Sequence, residues 1–155
     1  MVKYLIVGNK NAIAWTNIFP MYMEKKIWFG YSIINKFIDA SGKLADLEGI
    51  GRWFTNLEVI KYNPEMELVE YNPETNRKYD TYDAVNTNSI YKIPNFDGVI
   101  GVPLGIIDYI NKDQFEIVGI MHTGNGKYDQ GAPKIDGKAV YIRILIRIKK
   151  NIKNT

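Results

Sequence analysis

One histidine and no cysteine leave this chain few routes to chemistry. Without Cys there are no disulfides, thiolate nucleophiles or zinc–thiolate sites. A zinc site would then need carboxylates that the spacing does not gather. The single His122 heads a glycine-rich loop, residues 122–131, and reads as a loop side chain rather than a general base. A Ser-His-Asp arrangement would also depend on His122, and no serine sits in a Gly-x-Ser-x-Gly elbow. Asp80 and Asp83 are near neighbours, but in a polar loop such a pair is solvated more often than catalytic. Gly98-Val99-Ile100-Gly101 is neither a phosphate-binding Walker loop nor a dinucleotide fingerprint.

The basic and aromatic residues carry more. Lys10 lies in the loop beyond the first strand, Arg52 precedes a Trp-Phe strand, and Arg143 and Arg147 project from one strand face. Lysine and arginine neutralise phosphates, and tryptophan and tyrosine stack on bases. The competing reading is a solvated strand face over an aromatic core. A formal charge of +3 is compatible with a nucleic-acid partner without arguing for one.

These residues need elements to hold them. Tyr4 to Val7 is a continuous apolar run stopped by Gly8-Asn9, and it predicts a strand buried on both faces of a parallel sheet. Ligands bind beyond the carboxyl ends of such strands, which places Gly8 to Asn11 at the interesting end. Asn9 or Asn11 caps a helix through Trp15 to Phe19, which Pro20 ends or kinks. Ile27 to Tyr31 and Trp53 to Val59 read as strands. Ser32 to Leu47 reads as a short helix or an irregular insertion broken at Ser41-Gly42. Tyr62-Asn63-Pro64-Glu65 and Tyr71-Asn72-Pro73-Glu74 form a small echo marking two turns around a strand at Met66 to Val69. Asn76 to Tyr82 is an exposed loop. Phe96 to Pro103 and Phe115 to Met121 are strands, with one or two helical turns at Leu104 to Ile110 between them. Asp136-Gly137 turns a hairpin into a last strand, Lys138 to Lys149. In that strand Val140, Ile142, Ile144, Ile146 and Ile148 share one face, and Tyr141, Arg143, Leu145 and Arg147 the other. The tail from Lys150 to Thr155 is expected to fray.

At 155 residues the chain has the size of one domain. No run of about 18 apolar residues is present, so no transmembrane helix is predicted. No signal peptide is visible, and a cytoplasmic location is expected.

Several segments, in order, resemble one family: the EcoRI-type adenine-specific DNA methyltransferases. They are Lys3-Tyr4-Leu5-Ile6-Val7-Gly8-Asn9-Lys10-Asn11-Ala12, Ile27-Trp28-Phe29-Gly30-Tyr31 and Trp53-Phe54-Thr55-Asn56-Leu57. Tyr79-Asp80 with Tyr82-Asp83-Ala84, Ile93-Pro94 with Phe96 to Pro103, and Gln114 to Gly119 follow. The resemblance implies an α/β fold: an incomplete Rossmann-like methyltransferase sheet, made of its late strands, continuing into antiparallel β structure. Residues 1–60 would be the late strands and 61–150 a β-rich, family-specific extension, within a single domain spanning 1–155.

The family uses S-adenosylmethionine to methylate the N6 amine of adenine in duplex DNA. Its cofactor glycines and its Asn-Pro-Pro-Phe-type catalytic motif precede the part that matches here. Asn63-Pro64-Glu65 and Asn72-Pro73-Glu74 lack the second proline and the aromatic, and Ile93-Pro94-Asn95-Phe96 has the wrong order. No catalytic, cofactor-binding or metal-binding residue is therefore assigned. The resemblance implies the C-terminal portion of a restriction–modification methyltransferase that contacts DNA and is not competent alone. The cofactor, S-adenosylmethionine, belongs to the complete enzyme. The partners implied are DNA and either an N-terminal half or a second copy of the chain, with no membrane. Candidate DNA contacts are Asn9, Lys10 and Asn11, with Arg52, Asn56, Arg77 and Lys78. The alternative is a non-catalytic protein- or nucleic-acid-interaction module derived from the same fold.

Overall fold

The opening apolar run becomes a strand, β1 (Leu5–Asn9), but not a doubly buried one. The structure, a computed structural model, describes residues 1–150. In it β1 pairs on one side only, antiparallel to β3, and Leu5 and Ile6 are more than half exposed. The expected parallel, two-face-buried strand is thus corrected. β-Branched residues specify an extended backbone, whereas coverage of both faces depends on neighbours that local sequence does not encode.

The chain divides into two compact units, Met1–Lys61 and a second beginning at Tyr62. In the first, β1 leads into a 3-10 turn at Lys10–Ala14 and a short helix, α1 (Phe19–Met23). Asn9 caps the 3-10 turn as its residue type suggests, accepting from the Asn11 N–H at 2.9 Å. Pro20 opens α1 rather than ending a helix, since a proline in the first turn loses no intrahelical bond. Then come β2 (Trp28–Ile38) and β3 (Leu44–Thr55), a long antiparallel hairpin, in a sheet ordered β1-β3-β2. The segment from Ser32 to Leu47 is therefore strand and turn, not helix. Asp39 makes the turn: its carboxylate accepts from Ser41 N (2.8 Å), Ser41 Oγ (2.6 Å) and Lys43 N (3.0 Å), and Gly42 adopts φ +81°. Those bonds, led by the Ser41 hydroxyl, hold the Asp39 carboxyl below its usual range. Gly30 lies flat against Trp53, where an added Cβ would come within 2.5 Å of the tryptophan Cβ.

The second unit holds β4 (Glu67–Val69), β5 (Ala84–Asn86), β6 (Lys92–Pro94), β7 (Val99–Pro103), β8 (Phe115–Met121), β9 (Lys134–Ile135), β10 (Lys138–Ala139) and β11 (Arg143–Ile148). A 3-10 turn at Leu104–Asp108 separates β7 from β8. The main sheet runs β5-β7-β11-β8, with β5 parallel to β7 and the other pairs antiparallel. β4 and β6 form a parallel pair, and β9 and β10 a hairpin across Asp136-Gly137. The fold is strand-rich with a mixed sheet.

Central β11 carries the core. Ile144, Leu145 and Ile146 are all fully buried, so both faces of the strand are covered. The chain leaves strand geometry between Ala139 and Arg143, so the expected single strand from Lys138 is two. Arg143 is buried as well, which corrects its reading as a residue on a solvated face. The tail beyond Lys150 lies outside the described residues.

Candidate nucleic-acid interface

Two regions gather the polar residues singled out from sequence. In the first unit, Asn9, Lys10 and Asn11 stand together where β1 turns into the 3-10 segment. The register sets Gly8 opposite Arg52 and Asn9 opposite Gly51, so the Arg52 backbone runs beside this corner. Its side chain does not reach outward. Arg52 is buried, and its Nη1 donates to the Gly49 and Gly51 carbonyls at 2.7 and 2.8 Å. It ties down the irregular stretch of β3 between Asp46 and Gly51.

Asn56 sits at the other end of the β1–β3 pair. Its Oδ1 accepts from Tyr4 N at 3.0 Å, and its Nδ2 donates to Val2 O at 2.7 Å. It fastens the residues before β1 to the end of β3. An open apolar groove of about 660 Å³ adjoins Asn9, lined by Val7, Ile34, Phe37, Leu47 and Trp53 among others.

In the second unit Arg77 and Lys78 are exposed. Arg77 pairs with Asp136 at 2.7 Å, and Lys78 approaches Asp83 at 3.8 Å. Exposed pairs of this kind contribute about 0–1 kcal/mol, so both cations can exchange partners. Asp80 is not free for acid–base work. Its carboxylate accepts from Asp136 N (2.9 Å) and Gly137 N (2.8 Å), closing the β9–β10 turn.

Sequence reasoning missed one arrangement. Tyr79 is buried although its surroundings read as an exposed loop. Its hydroxyl donates to Asn86 Oδ1 at 2.7 Å, and Arg143 Nε donates to the same oxygen at 2.9 Å. Burial pushes the Tyr79 hydroxyl well above its ordinary pKa, and the nearby Arg143 charge offsets only part of that. The sequence offers no clear signal for it: Arg143 and Arg147 share one face of the same isoleucine-rich strand, and only Arg143 is buried.

The Gly-rich loop after β8 is also built rather than slack. Asp129 accepts from the N–H groups of His122 (3.0 Å), Thr123 (3.0 Å) and Gly131 (3.1 Å). Burial opposes its charge, but backbone bonds from His122, Gly131, Gly124 and Thr123 outweigh that and hold its carboxyl below the usual range. The echoed asparagines are structural too. Asn63 Nδ2 donates to Ile110 O at 3.0 Å, and Asn72 Oδ1 accepts from Glu74 N at 2.9 Å. Among the described residues no group of three or more His, Cys, Asp or Glu could hold a metal ion, and no helix is long and apolar enough to cross a membrane.

Fold and site together define a strand-rich protein whose interior polar groups tie down turns and whose accessible cations lie at loop ends and strand tips. The chain belongs to the EcoRI-type adenine-specific methyltransferase family, whose model, described as "Adenine-specific methyltransferase EcoRI", matches residues 1–149. It is 31% identical to the type II methyltransferase M.EcoRI of Escherichia coli, over 96% of this chain and 51% of that protein. It is 28% identical to M.MgeORF184P of Mycoplasma genitalium, over 94% of this chain and 56% of the relative. With M.MpnI of Mycoplasma pneumoniae the identity is 22%, over 97% and 58%. The chain thus spans about half the length of the curated relatives it matches. No solved structure matches it.

Proposed function

We propose that this chain is the C-terminal portion of an adenine-specific (N6) DNA methyltransferase of a restriction–modification system. It contacts DNA and depends on a front half for methyl transfer from S-adenosylmethionine. One observation carries the reading: a family match over residues 1–149 in a chain about half as long as the relatives.

The first unit supports it. β1 and β2 run in the same direction, are joined through the 3-10 turn and α1, and enclose antiparallel β3. That is a β–α–β crossover with one strand inserted, a way for a mostly parallel sheet to end in a hairpin. Among the described residues the outer edge of β1 has no strand beside it, which is where earlier strands of a Rossmann-like sheet would join. On this reading residues 1–60 are the late strands and 61–150 the β-rich extension.

Catalysis on a base inside a duplex requires flipping it out, stacking it and holding its amine in line with the methyl donor. Asn63 and Asn72, the nearest echoes of the needed motif, are held within turn and loop bonds. The residues do not fit S-adenosylmethionine by themselves. The groove beside Asn9 has no carboxylate in its lining to accept a ribose diol, and Tyr79 covers Gly101, where a ligand would need close backbone approach. This chain's own contribution is to complete the sheet and to offer Asn9, Lys10, Asn11, Arg77 and Lys78 to the DNA. Asn56 and Arg52 serve the first unit's structure instead, Asn56 fastening the end of β3 to the residues before β1 and Arg52 bonding carbonyls within β3.

Binding to duplex DNA across a salt series, with and without a candidate front half, tests the reading. The expected result is binding that weakens steeply with salt, and N6 methylation only in the mixture. Salt-independent or absent binding in both settings counts against DNA contact. Methylation by the chain alone overturns its dependence on a front half. A non-catalytic interaction module is the second reading, favoured by the apolar groove that β1, β2 and β3 line. A chain that binds a protein partner but neither DNA nor a front half would select it.

A further inference from the structure

We propose that Arg143 and Asn88 form a phosphate site for the backbone of a nucleic acid. Arg143 stands at the start of β11 with 5% of its surface exposed. Its Nε donates to Asn86 Oδ1 (2.9 Å), and its Nη2 to Asn88 Oδ1 (3.0 Å). Its Nη1 donates to the carbonyls of Tyr141 (3.0 Å) and Ile142 (3.4 Å). Every one of these acceptors is neutral. No carboxylate pairs with Arg143 among the described residues. A guanidinium stays charged, and buried charges are ordinarily matched by an opposite one. Tyr79 does not supply that charge, because its hydroxyl is itself a donor to Asn86.

The geometry leaves a donor-only edge. Of the five guanidinium N–H groups, the four bonds account for four and leave one on Nη2. Asn88, at the exposed lip, receives both Arg143 Nη2 and Asn86 Nδ2 (3.2 Å) on its Oδ1. Its own Nδ2 then has two hydrogens with no acceptor among the described residues. One charged N–H beside an amide NH2, fixed by a fully bonded scaffold and carrying an unmatched positive charge, suits a phosphate oxygen. This assignment rests on the DNA-contact reading for its choice of ligand, while the anion site itself stands on the Arg143 geometry.

The test uses the full chain and Asn88→Asp, which places a carboxylate beside the guanidinium and leaves every other group in place. At matched ionic strength, inorganic phosphate against chloride should raise the wild-type Tm by roughly 2–4 °C and leave Asn88→Asp unmoved. In chloride the variant should melt at or above wild type. On duplex DNA, the slope of log K against log salt should be smaller for the variant by about 0.9, one phosphate contact. No phosphate-specific rise in wild type, or the same rise in the variant, overturns the site. A phosphate effect lost in the variant with an unchanged DNA slope overturns the nucleic-acid assignment. A phosphate effect lost in the variant, in a chain that binds no DNA with or without a front half, keeps the site and sinks the DNA-contact reading.

Discussion

The Tyr79 hydroxyl reaches across Gly101 to donate to Asn86 Oδ1 at 2.7 Å, and a Cβ on residue 101 would collide with that hydroxyl. β7 therefore needs a glycine at 101 because of a side chain 22 positions earlier. Gly101→Ala should destabilise the fold by about 1–3 kcal/mol through overpacking. Tyr79→Phe should cost about 1 kcal/mol, since Asn86 Oδ1 keeps its bond from Arg143. Urea denaturation of both variants checks the order, and Tyr79→Phe combined with Gly101→Ala should recover part of the alanine's cost.

Asp129 sets an acid limit on the loop after β8. Its folded carboxyl lies below its ordinary 3.8. A depressed carboxylate contributes stability that is fully present above the unfolded value and is lost as pH falls through the folded one. Asp129→Asn should therefore be less stable than wild type by about 1 kcal/mol at pH 7, a figure kept low because the group is part exposed. The gap should close as pH drops below about 3.8. Thermal melts from pH 7 to pH 2.5 measure it. A gap that stays constant through that range would show that the backbone bonds do not depend on the charge.

Asn56→Ala should release the residues before β1. It removes the bonds to Tyr4 N and Val2 O but leaves the Thr55 hydroxyl on Tyr4 O at 2.7 Å. About 1 kcal/mol of stability should be lost. Amide exchange should speed most at Tyr4 and far less in β11.

Arginines 77 and 52 should separate cleanly. Arg77→Ala and Lys78→Ala break exposed pairs and should change stability by under about 0.5 kcal/mol, while each lowers the DNA salt slope by about 0.9. Arg52→Ala strips donors from two carbonyls beside a buried strand and should cost about 2–3 kcal/mol. Equal stability losses at all three positions would contradict these placements.

Much of the second unit is legible from turn chemistry and glycine spacing. The strand at Met66 to Val69, the strand ending at Pro103, the helical turns after it, the strand at Phe115 to Met121 and the Asp136-Gly137 hairpin all lie where the residues point. The long hairpin of the first unit is not legible in that way. Ile33, Ile34, Phe37 and Ile38 have a spacing that fits a helix, and register shifts in the β2–β3 pair, one in each strand, disturb the alternation that marks a strand. Of the candidate contacts, the clustering of Asn9, Lys10 and Asn11 follows from adjacency alone. The inward turn of Arg52 does not, because it depends on the Gly49 and Gly51 carbonyls at the irregularity of β3 between Asp46 and Gly51, where Glu48 and Gly49 take positive φ.

The sequence by itself determined the family, the positions of most turns and strands, and the absence of thiol chemistry. Those properties are local: a residue's backbone preference and the order of segments can be read along the chain. Tertiary structure decided which faces are covered. Arg143 and Leu145 have the parity of a solvated face, yet both are buried, because Tyr79, Tyr82 and Ile135 pack over Leu145 and Tyr79 meets Arg143 at Asn86. Leu5 and Ile6 look like core and stand exposed, because among the described residues nothing packs over their side chains and β1 is an edge strand. Burial is set by partners distant in sequence, and alternation along one strand carries no information about them.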